Sequence, residues 1–320
     1  MKNVFEVLKE AESFLSSAGV GGAKASAEVL LSAVMKIPRA KLPLMRDKQL
    51  TEEENNQFNS FIARRAKREP VAYILGSCEF MGFEFAVNKN VLIPRPETEL
   101  LVEEVLRHCE RSRCCHPVGK RDPRLIKMDS DMELLSCLSA EHRNDKWSVL
   151  DLCTGSGCIA VSFAKLGKFE KITASDISEE ALSLAKQNAD LNDVKNVKFV
   201  LSDMFENLSG NKFDIIVSNP PYVSSAEYEN LEPELVKYEP KIALETKDAG
   251  LFFYKQIAQN AVKFLNDNGF VFVELNANKS KQIKEIFKDF KDVEIIKDYS
   301  GLDRILKASI CHPVEKRDPF

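Results

Sequence analysis

At about 150 residues per domain, a chain of 320 residues reads as about two domains, with enough length to bury a sizeable core. Hydrophobic residues make up 44% and charged residues 29%, with 13 glycines and 13 prolines, which excludes a disordered or collagenous chain. The 45 basic and 49 acidic residues leave a net charge of −4, a poor footing for non-specific nucleic-acid binding, so no direct nucleic-acid partner is expected.

From Val4 to Ala66 apolar residues recur at helical spacing, as in Val4, Leu8, Ala11 and Leu15 and then Ala27, Leu30, Leu31 and Val34, with Gly19, Gly21, Gly22, Pro38 and Pro43 as punctuation. The pattern predicts a small helical domain over 1–75. Within it, Arg64, Arg65, Lys67 and Arg68 read as a solvated helix face. The opening MKNVFEVLKEAESFL carries acids where a signal peptide needs an apolar core, and no run approaches the roughly 18 to 20 apolar residues that cross a bilayer. A cytoplasmic protein without a membrane partner is expected.

From Val71 onward aromatic and β-branched residues surround Gly76 and Gly82, which predicts a β-hairpin, Glu79 to Phe80 and Phe83 to Val87, in a linker over 76–96. The linker ends in Ile93-Pro94-Arg95-Pro96-Glu97-Thr98-Glu99. Its prolines fix an extended approach, and Thr98 between two acids suits the start of a helix running to about Leu106.

The polar stretch 108–146 fits neither period and reads as a disordered insertion into a catalytic unit over 97–310. Its Cys115-His116-Pro117-Val118-Gly119-Lys120-Arg121-Asp122-Pro123 recurs in the tail 311–320 as Cys311-His312-Pro313-Val314-Glu315-Lys316-Arg317-Asp318-Pro319. Two copies are too few for a solenoid, so one short genetic element inserted twice and tolerated as surface peptide is the expectation. The 8 cysteines read as reduced thiols. His108, Cys109, Cys114, Cys115 and His116 offer soft ligands, but their spacing does not form two zinc knuckles, and no metal is expected.

After Trp147 short apolar strands alternate with amphipathic helices, the signature of a parallel, doubly wound α/β sheet. Strands are predicted at Ser148–Leu152, Lys171–Ser175, Val197–Leu201, Phe213–Val217, Gly269–Glu274, Val293–Ile296 and Arg304–Ile310. Helices are predicted at Cys158–Lys165, Glu179–Asp190, Leu251–Leu265 and Ser280–Phe290.

The first strand ends in Asp151-Leu152-Cys153-Thr154-Gly155-Ser156-Gly157 and runs into a helix, a glycine turn that lets backbone approach a nucleotide-like cofactor at the carboxyl end of a sheet. Gly155-x-Gly157-x-x-Ala160 also satisfies a dinucleotide fingerprint, so an oxidoreductase stays open at this point. Asp176 closes the second strand, where it can accept from ribose hydroxyls, and Asp151 suits a cationic amino-acid moiety better than a pyrophosphate. Asp203 and Met204 end the third strand with a carboxylate and an apolar face for an adenine.

The fourth strand delivers Asn219-Pro220-Pro221-Tyr222. Adjacent prolines stiffen the loop and remove two N–H donors, leaving an acceptor-rich cradle: the Asn219 side-chain oxygen, the Pro220 carbonyl and Tyr222 as an aromatic wall, suited to a planar NH₂ group. The exocyclic amino group of an adenine in DNA would fit the same cradle, but that reading expects a basic groove.

The Asn-Pro-Pro-Tyr loop and the Asp-Leu-Cys-Thr-Gly-Ser-Gly turn resemble the class I S-adenosylmethionine-dependent methyltransferases. Pro70-Val71-Ala72-Tyr73-Ile74-Leu75-Gly76, Phe80-x-Gly82, Leu92 to Glu99 and Gly301-Leu302-Asp303-Arg304 further resemble the release factor glutamine methyltransferases, over Val4 to Ile310 apart from the insertion. The resemblance implies a class I methyltransferase-like doubly wound seven-stranded sheet, a helical N-terminal domain for substrate recognition, S-adenosyl-L-methionine as cofactor, and the glutamine of the Gly-Gly-Gln motif in bacterial class 1 peptide chain release factors as target. It puts Cys153 to Gly157, Asp176 and Met204 at cofactor positions and Asn219 to Tyr222 on the glutamine, and glutamine methylation of a ribosomal protein is the nearest alternative. Cys153 stands where glycine is usual, Met204 where a tryptophan can occur, and Asn276 and Lys279 where Glu-Ile-Gly-x-x-Gln is common. Loss of an aromatic stack beside the adenine costs on the order of 1 kcal/mol.

Overall fold

The computed structural model describes residues 2–114 and 147–310. The repeat copies at 115–123 and 311–319 and most of the expected insertion therefore lie outside the described residues. Among the described residues no helix is long and apolar enough to cross a membrane.

Helices α1 (Val4–Ser17), α2 (Ala23–Met35), α3 (Glu52–Ala66) and α4 (Val71–Leu75) form the N-terminal unit. Capping boxes start α1 and α3: the Asn3 and Thr51 side chains accept from the Glu6 and Glu54 amides while those glutamates reach back, satisfying donors a helix end leaves open. Their apolar stripes bury Leu15, Leu30, Leu31 and Phe58 in one core. Helix α4 lies within the span 1–75 expected to be helical, with Pro70 starting it and Gly76, at φ 80°, capping it.

Strands β1 (Ser77–Phe80) and β2 (Phe83–Ala86) form the hairpin, and α5 (Pro96–Cys114) follows the proline arm. This helix passes the expected end at Leu106. His108 packs against Phe270 at 4.1 Å and Cys109 is buried in the core, while Cys115 and His116 lie outside the described residues. Among the described residues no group of histidines, cysteines and acids could hold a metal ion.

The catalytic unit comprises β3 (Trp147–Leu152), α6 (Cys158–Leu166), β4 (Phe169–Asp176), α7 (Glu179–Leu191), β5 (Val197–Leu201), β6 (Phe213–Ser218), α8 (Ser225–Tyr228), α9 (Pro233–Tyr238), α10 (Phe252–Phe264), β7 (Leu265–Glu274), α11 (Ser280–Ile286), β8 (Lys291–Lys297) and β9 (Asp303–Ser309). The seven strands run in the order β5-β4-β3-β6-β7-β9-β8, parallel except for β9, which is antiparallel to both neighbours. Apolar β3 and β6 are buried on both faces, between one core that includes Val149, Phe163 and Val217 and another that includes Leu150, Ile216 and Tyr254. The strand order turns between β3 and β6, and in open α/β sheets such a switch point opens a crevice at the strand carboxyl ends.

The N-terminal unit and hairpin are fastened to this sheet. Asn188 on α7 accepts from the Ala86 amide at 2.7 Å and donates to the Ala86 carbonyl at 3.0 Å, extending the hairpin's backbone pairing with a side chain. The basic cluster is not a solvated face: Arg65 is buried and meets Glu234 at 3.0 Å, while Arg68 meets Glu234 at 2.6 Å and Glu232 at 2.9 Å. Arg64 pairs with Glu69, and the Lys67 carbonyl accepts from Tyr238. The acidic partner of this cluster is thus α9 of the same chain.

Candidate active site

Leu152 on β3 and Ser218 on β6 are register partners, so the segments after them leave adjacent strands at the same level. A cleft of about 710 Å³ opens there, within the range of small-molecule sites. Its wall contains Cys153, Thr154, Gly155 and Ser156 from the turn after β3, Asp176 from β4, Asp203 and Met204 after β5, and Asn219 and Pro221 after β6. Four loops separated by long stretches of sequence therefore meet at one crevice.

The glycine turn is held from both sides. The Gly155 amide donates to Asp176 Oδ2 at 2.8 Å and the Thr154 amide to the Ser175 carbonyl at 2.9 Å. Gly155, at φ 56°, has nothing within 4 Å of where a Cβ would sit, and it faces open cleft. Gly157, at φ 81°, is needed for packing, since a Cβ there would lie 2.9 Å from the Ala185 side chain. Cys153 adopts φ 64°, in the left-handed region that favours glycine. Burial pushes its thiol well above the usual range, so it stays protonated and is no nucleophile.

Asp151, Gly157, Pro220 and Tyr222 do not reach the cleft wall. Asp151 is fully buried beneath the turn, where Oδ2 accepts from Thr154 Oγ1 at 2.6 Å and from the Ala160 amide at 3.2 Å. Its Oδ1 has no partner, and burial pushes the carboxyl up to about 7. Asp176 is also raised by burial, opposed by the amides of Ser178 and Gly155. Tyr222 is not the expected aromatic wall. Its hydroxyl lies 3.4 Å from Glu274 Oε1, and the ring packs into the cores behind the loop.

Behind Asn219 lies a set of partners that motif reading does not single out. Asn219 Nδ2 donates to Thr98 Oγ1 at 3.0 Å, and Thr98 Oγ1 donates to Glu274 Oε2 at 2.7 Å. Thr98 belongs to the first turn of α5 and Glu274 ends β7, both buried. Burial pushes Glu274 up to about 7, with Thr98, Arg304 and Tyr222 opposing and Glu97 adding to the rise. The loop backbone is braced by Lys279, which lies 3.5 Å from the Tyr222 carbonyl and 2.5 Å from Glu227. Gly250, at φ 87°, passes so close that a Cβ would lie 2.5 Å from the Tyr222 carbonyl. Arg95 of the proline arm lines the cleft and meets buried Glu239 at 2.5 Å.

These residues fit a sulfonium nucleoside. The cradle at Gly155 is open, the buried Asp151 Oδ1 lacks a donor, Asp176 retains lone pairs for ribose hydroxyls, and Met204 offers an apolar face. Seven strands in this order, with the cleft at the switch point, place the chain among the class I S-adenosylmethionine-dependent methyltransferases. The model "PrmC N-terminal domain" matches residues 6–76 and "Methyltransferase small domain" matches 127–242. A release factor glutamine methyltransferase of Thermodesulfovibrio yellowstonii is 36% identical over 282 residues, covering 88% of this chain and 90% of that protein. One from Geobacter sulfurreducens is 36% identical over 307 residues, covering 95% and 96%. A bifunctional methyltransferase of Rickettsia bellii is 37% identical over 311 residues, covering 96% of this chain, which spans 55% of that protein's length. The chain belongs to the release factor glutamine methyltransferase family, and its cofactor is S-adenosylmethionine.

Proposed function

We propose that the protein methylates the side-chain amide nitrogen, N5, of the glutamine in the Gly-Gly-Gln motif of class 1 peptide chain release factors. The reading rests on one relationship above all: the Asn219 loop and the Gly155 turn open on the same cleft from paired strands. A planar acceptor loop is thereby next to the nucleoside cradle, and the named relatives act on release factor glutamine.

When bound, S-adenosylmethionine supplies an electrophilic methyl group on a sulfonium. An amide nitrogen is a weak nucleophile because its lone pair is delocalised, so the task left to the chain is alignment. Asn219 Oδ1 accepts an N–H bond of the glutamine, fixing its plane and turning the nitrogen toward the methyl. Pro221 narrows the space beside it, and Tyr222 anchors the loop through Glu274. As positive charge grows on the nitrogen, this acceptor binds it more tightly than in the ground state, the condition for a rate gain. Asp176 holds the turn amide and takes the ribose hydroxyls, Asp203 and Met204 hold the remainder of the cofactor, and Asp151 supports the turn from beneath. The N-terminal unit, pinned to α9 by Arg65 and Arg68, offers the protein substrate a surface beside the cleft.

Incubation with methyl-labelled cofactor and, separately, a release factor, a ribosomal protein and DNA decides the substrate. Label on the Gly-Gly-Gln glutamine of the release factor is expected. Label confined to the ribosomal protein or to DNA overturns the reading.

A further inference from the structure

We infer that Thr98 and Glu274 are positioning residues that set which end of the Asn219 carboxamide faces the cleft; the inference deepens, and rests on, the reading of Asn219 as acceptor of a substrate amide. An asparagine amide has an oxygen end and an NH₂ end of nearly identical shape, and only its hydrogen-bond partners choose between them. Here the choice is made by counting protons. Ionised Glu274 has none to give and accepts from Thr98 at 2.7 Å. The single hydroxyl proton of Thr98 is thereby committed, so toward Asn219 the oxygen can only accept, taking the Nδ2 hydrogen at 3.0 Å. The amide's oxygen end is left for the cleft, and among the described residues Oδ1 has no hydrogen-bond donor.

The direction of this chain depends on the charge of Glu274. Burial and Glu97 favour its protonated form, while Arg304, Thr98 and the hydroxyl of Tyr222 favour the ionised one; Tyr254, also behind the site, donates to the Glu274 backbone carbonyl. A proton on Glu274 can be donated to Thr98, which frees the Thr98 hydrogen for Asn219 Oδ1. The carboxamide then inverts and presents NH₂ to a glutamine NH₂, donor against donor. A Glu274→Gln side chain can do the same at every pH.

The experiment measures kcat and KM for methyl transfer to a release factor, and follows the Asn219 side-chain amide resonances, assigned by their loss in Asn219→Asp. Thr98→Val is expected to lose about 100-fold in kcat, the scale of a misplaced reacting group, with cofactor KM unchanged, and Thr98→Ser to restore most of it. Wild-type kcat is expected to rise through about pH 7, and Glu274→Gln to be slow and flat across that range. The Asn219 resonances should shift in Thr98→Val and titrate with Glu274 in the wild type. Wild-type kcat in both Thr98→Val and Glu274→Gln, or resonances that neither variant moves, overturns the inference. A wild-type protein that leaves release factors unmethylated strikes at the proposed function instead; the amide resonances need no substrate and then decide the inference alone.

Discussion

Ser218 Oγ donates a hydrogen bond of 2.7 Å to the carbonyl of Leu152, the residue opposite it at the end of the neighbouring parallel strand. Neighbouring strands lie about 4.8 Å apart, so this bond fixes the glycine turn and the Asn219 loop side by side. Cofactor cradle and acceptor loop inherit their spacing from one β3–β6 register, and each half is then held in shape by its own contacts.

Cys153 directly follows Leu152 and carries a side chain at φ 64°. A non-glycine residue in that region costs on the order of 1 kcal/mol or more. Cys153→Gly should therefore raise the melting temperature or leave it level, because relief of strain opposes glycine's extra unfolded-state entropy, and should retain cofactor binding by calorimetry. A marked loss of affinity would show that the thiol itself contacts the cofactor.

Gly250→Ala should act in the opposite direction. Its Cβ would lie 2.5 Å from the Tyr222 carbonyl, at a φ of 87° that side chains rarely adopt. We expect a loss of about 1–3 kcal/mol in denaturant unfolding and a fall in kcat larger than any change in cofactor affinity, since the acceptor loop moves and the glycine turn does not.

Asp151 gives the apo protein a signed dependence on pH. Its carboxyl titrates at about 7 when folded against an ordinary value of 3.8. Between those values the folded state holds the extra proton, so the stability linked to this group is fully present below 3.8 and is lost as pH rises through 7. Calorimetric melting temperatures should fall less steeply over that window in Asp151→Asn than in the wild type.

Glu234 holds two arginines of the N-terminal unit, and Arg65 is buried. Glu234→Ala takes the carboxylate from a buried guanidinium that keeps only neutral partners, Ser26 and the Glu69 carbonyl, and a buried charge left without its counter-charge costs about 3–5 kcal/mol. The double variant Arg65→Met, Glu234→Leu should recover much of that loss in urea unfolding. Equal stability of wild type and Glu234→Ala would remove α9 as the clasp between the two units.

Much of the fold was legible in the sequence because each strand and its loop is a local pattern. Asp151-Leu152-Cys153-Thr154-Gly155 reads as strand and turn, and Ile215 to Asn219 as buried strand and exit, from period and punctuation alone. Pairings across the chain were not legible. Thr98 suits a helix start on local grounds, and only folding brings it to Glu274, 176 positions away. Arg65 looks solvated within α3 because its partner is in another unit, and Tyr222 turns from the cleft toward a carboxylate on β7. Helices as short as α8 and α9 contain too few turns for a periodic signal, and α5 outruns its polar residues because His108 and Cys109 find apolar neighbours on the sheet.

The central claim is that Asn219 holds the acceptor amide while other loops hold the cofactor, and the most direct test is Asn219→Ala with cofactor affinity and methyl transfer measured on the same preparation. The account predicts nearly unchanged S-adenosylmethionine binding and transfer to a release factor reduced by on the order of 100- to 1,000-fold. Transfer at the wild-type rate would contradict it.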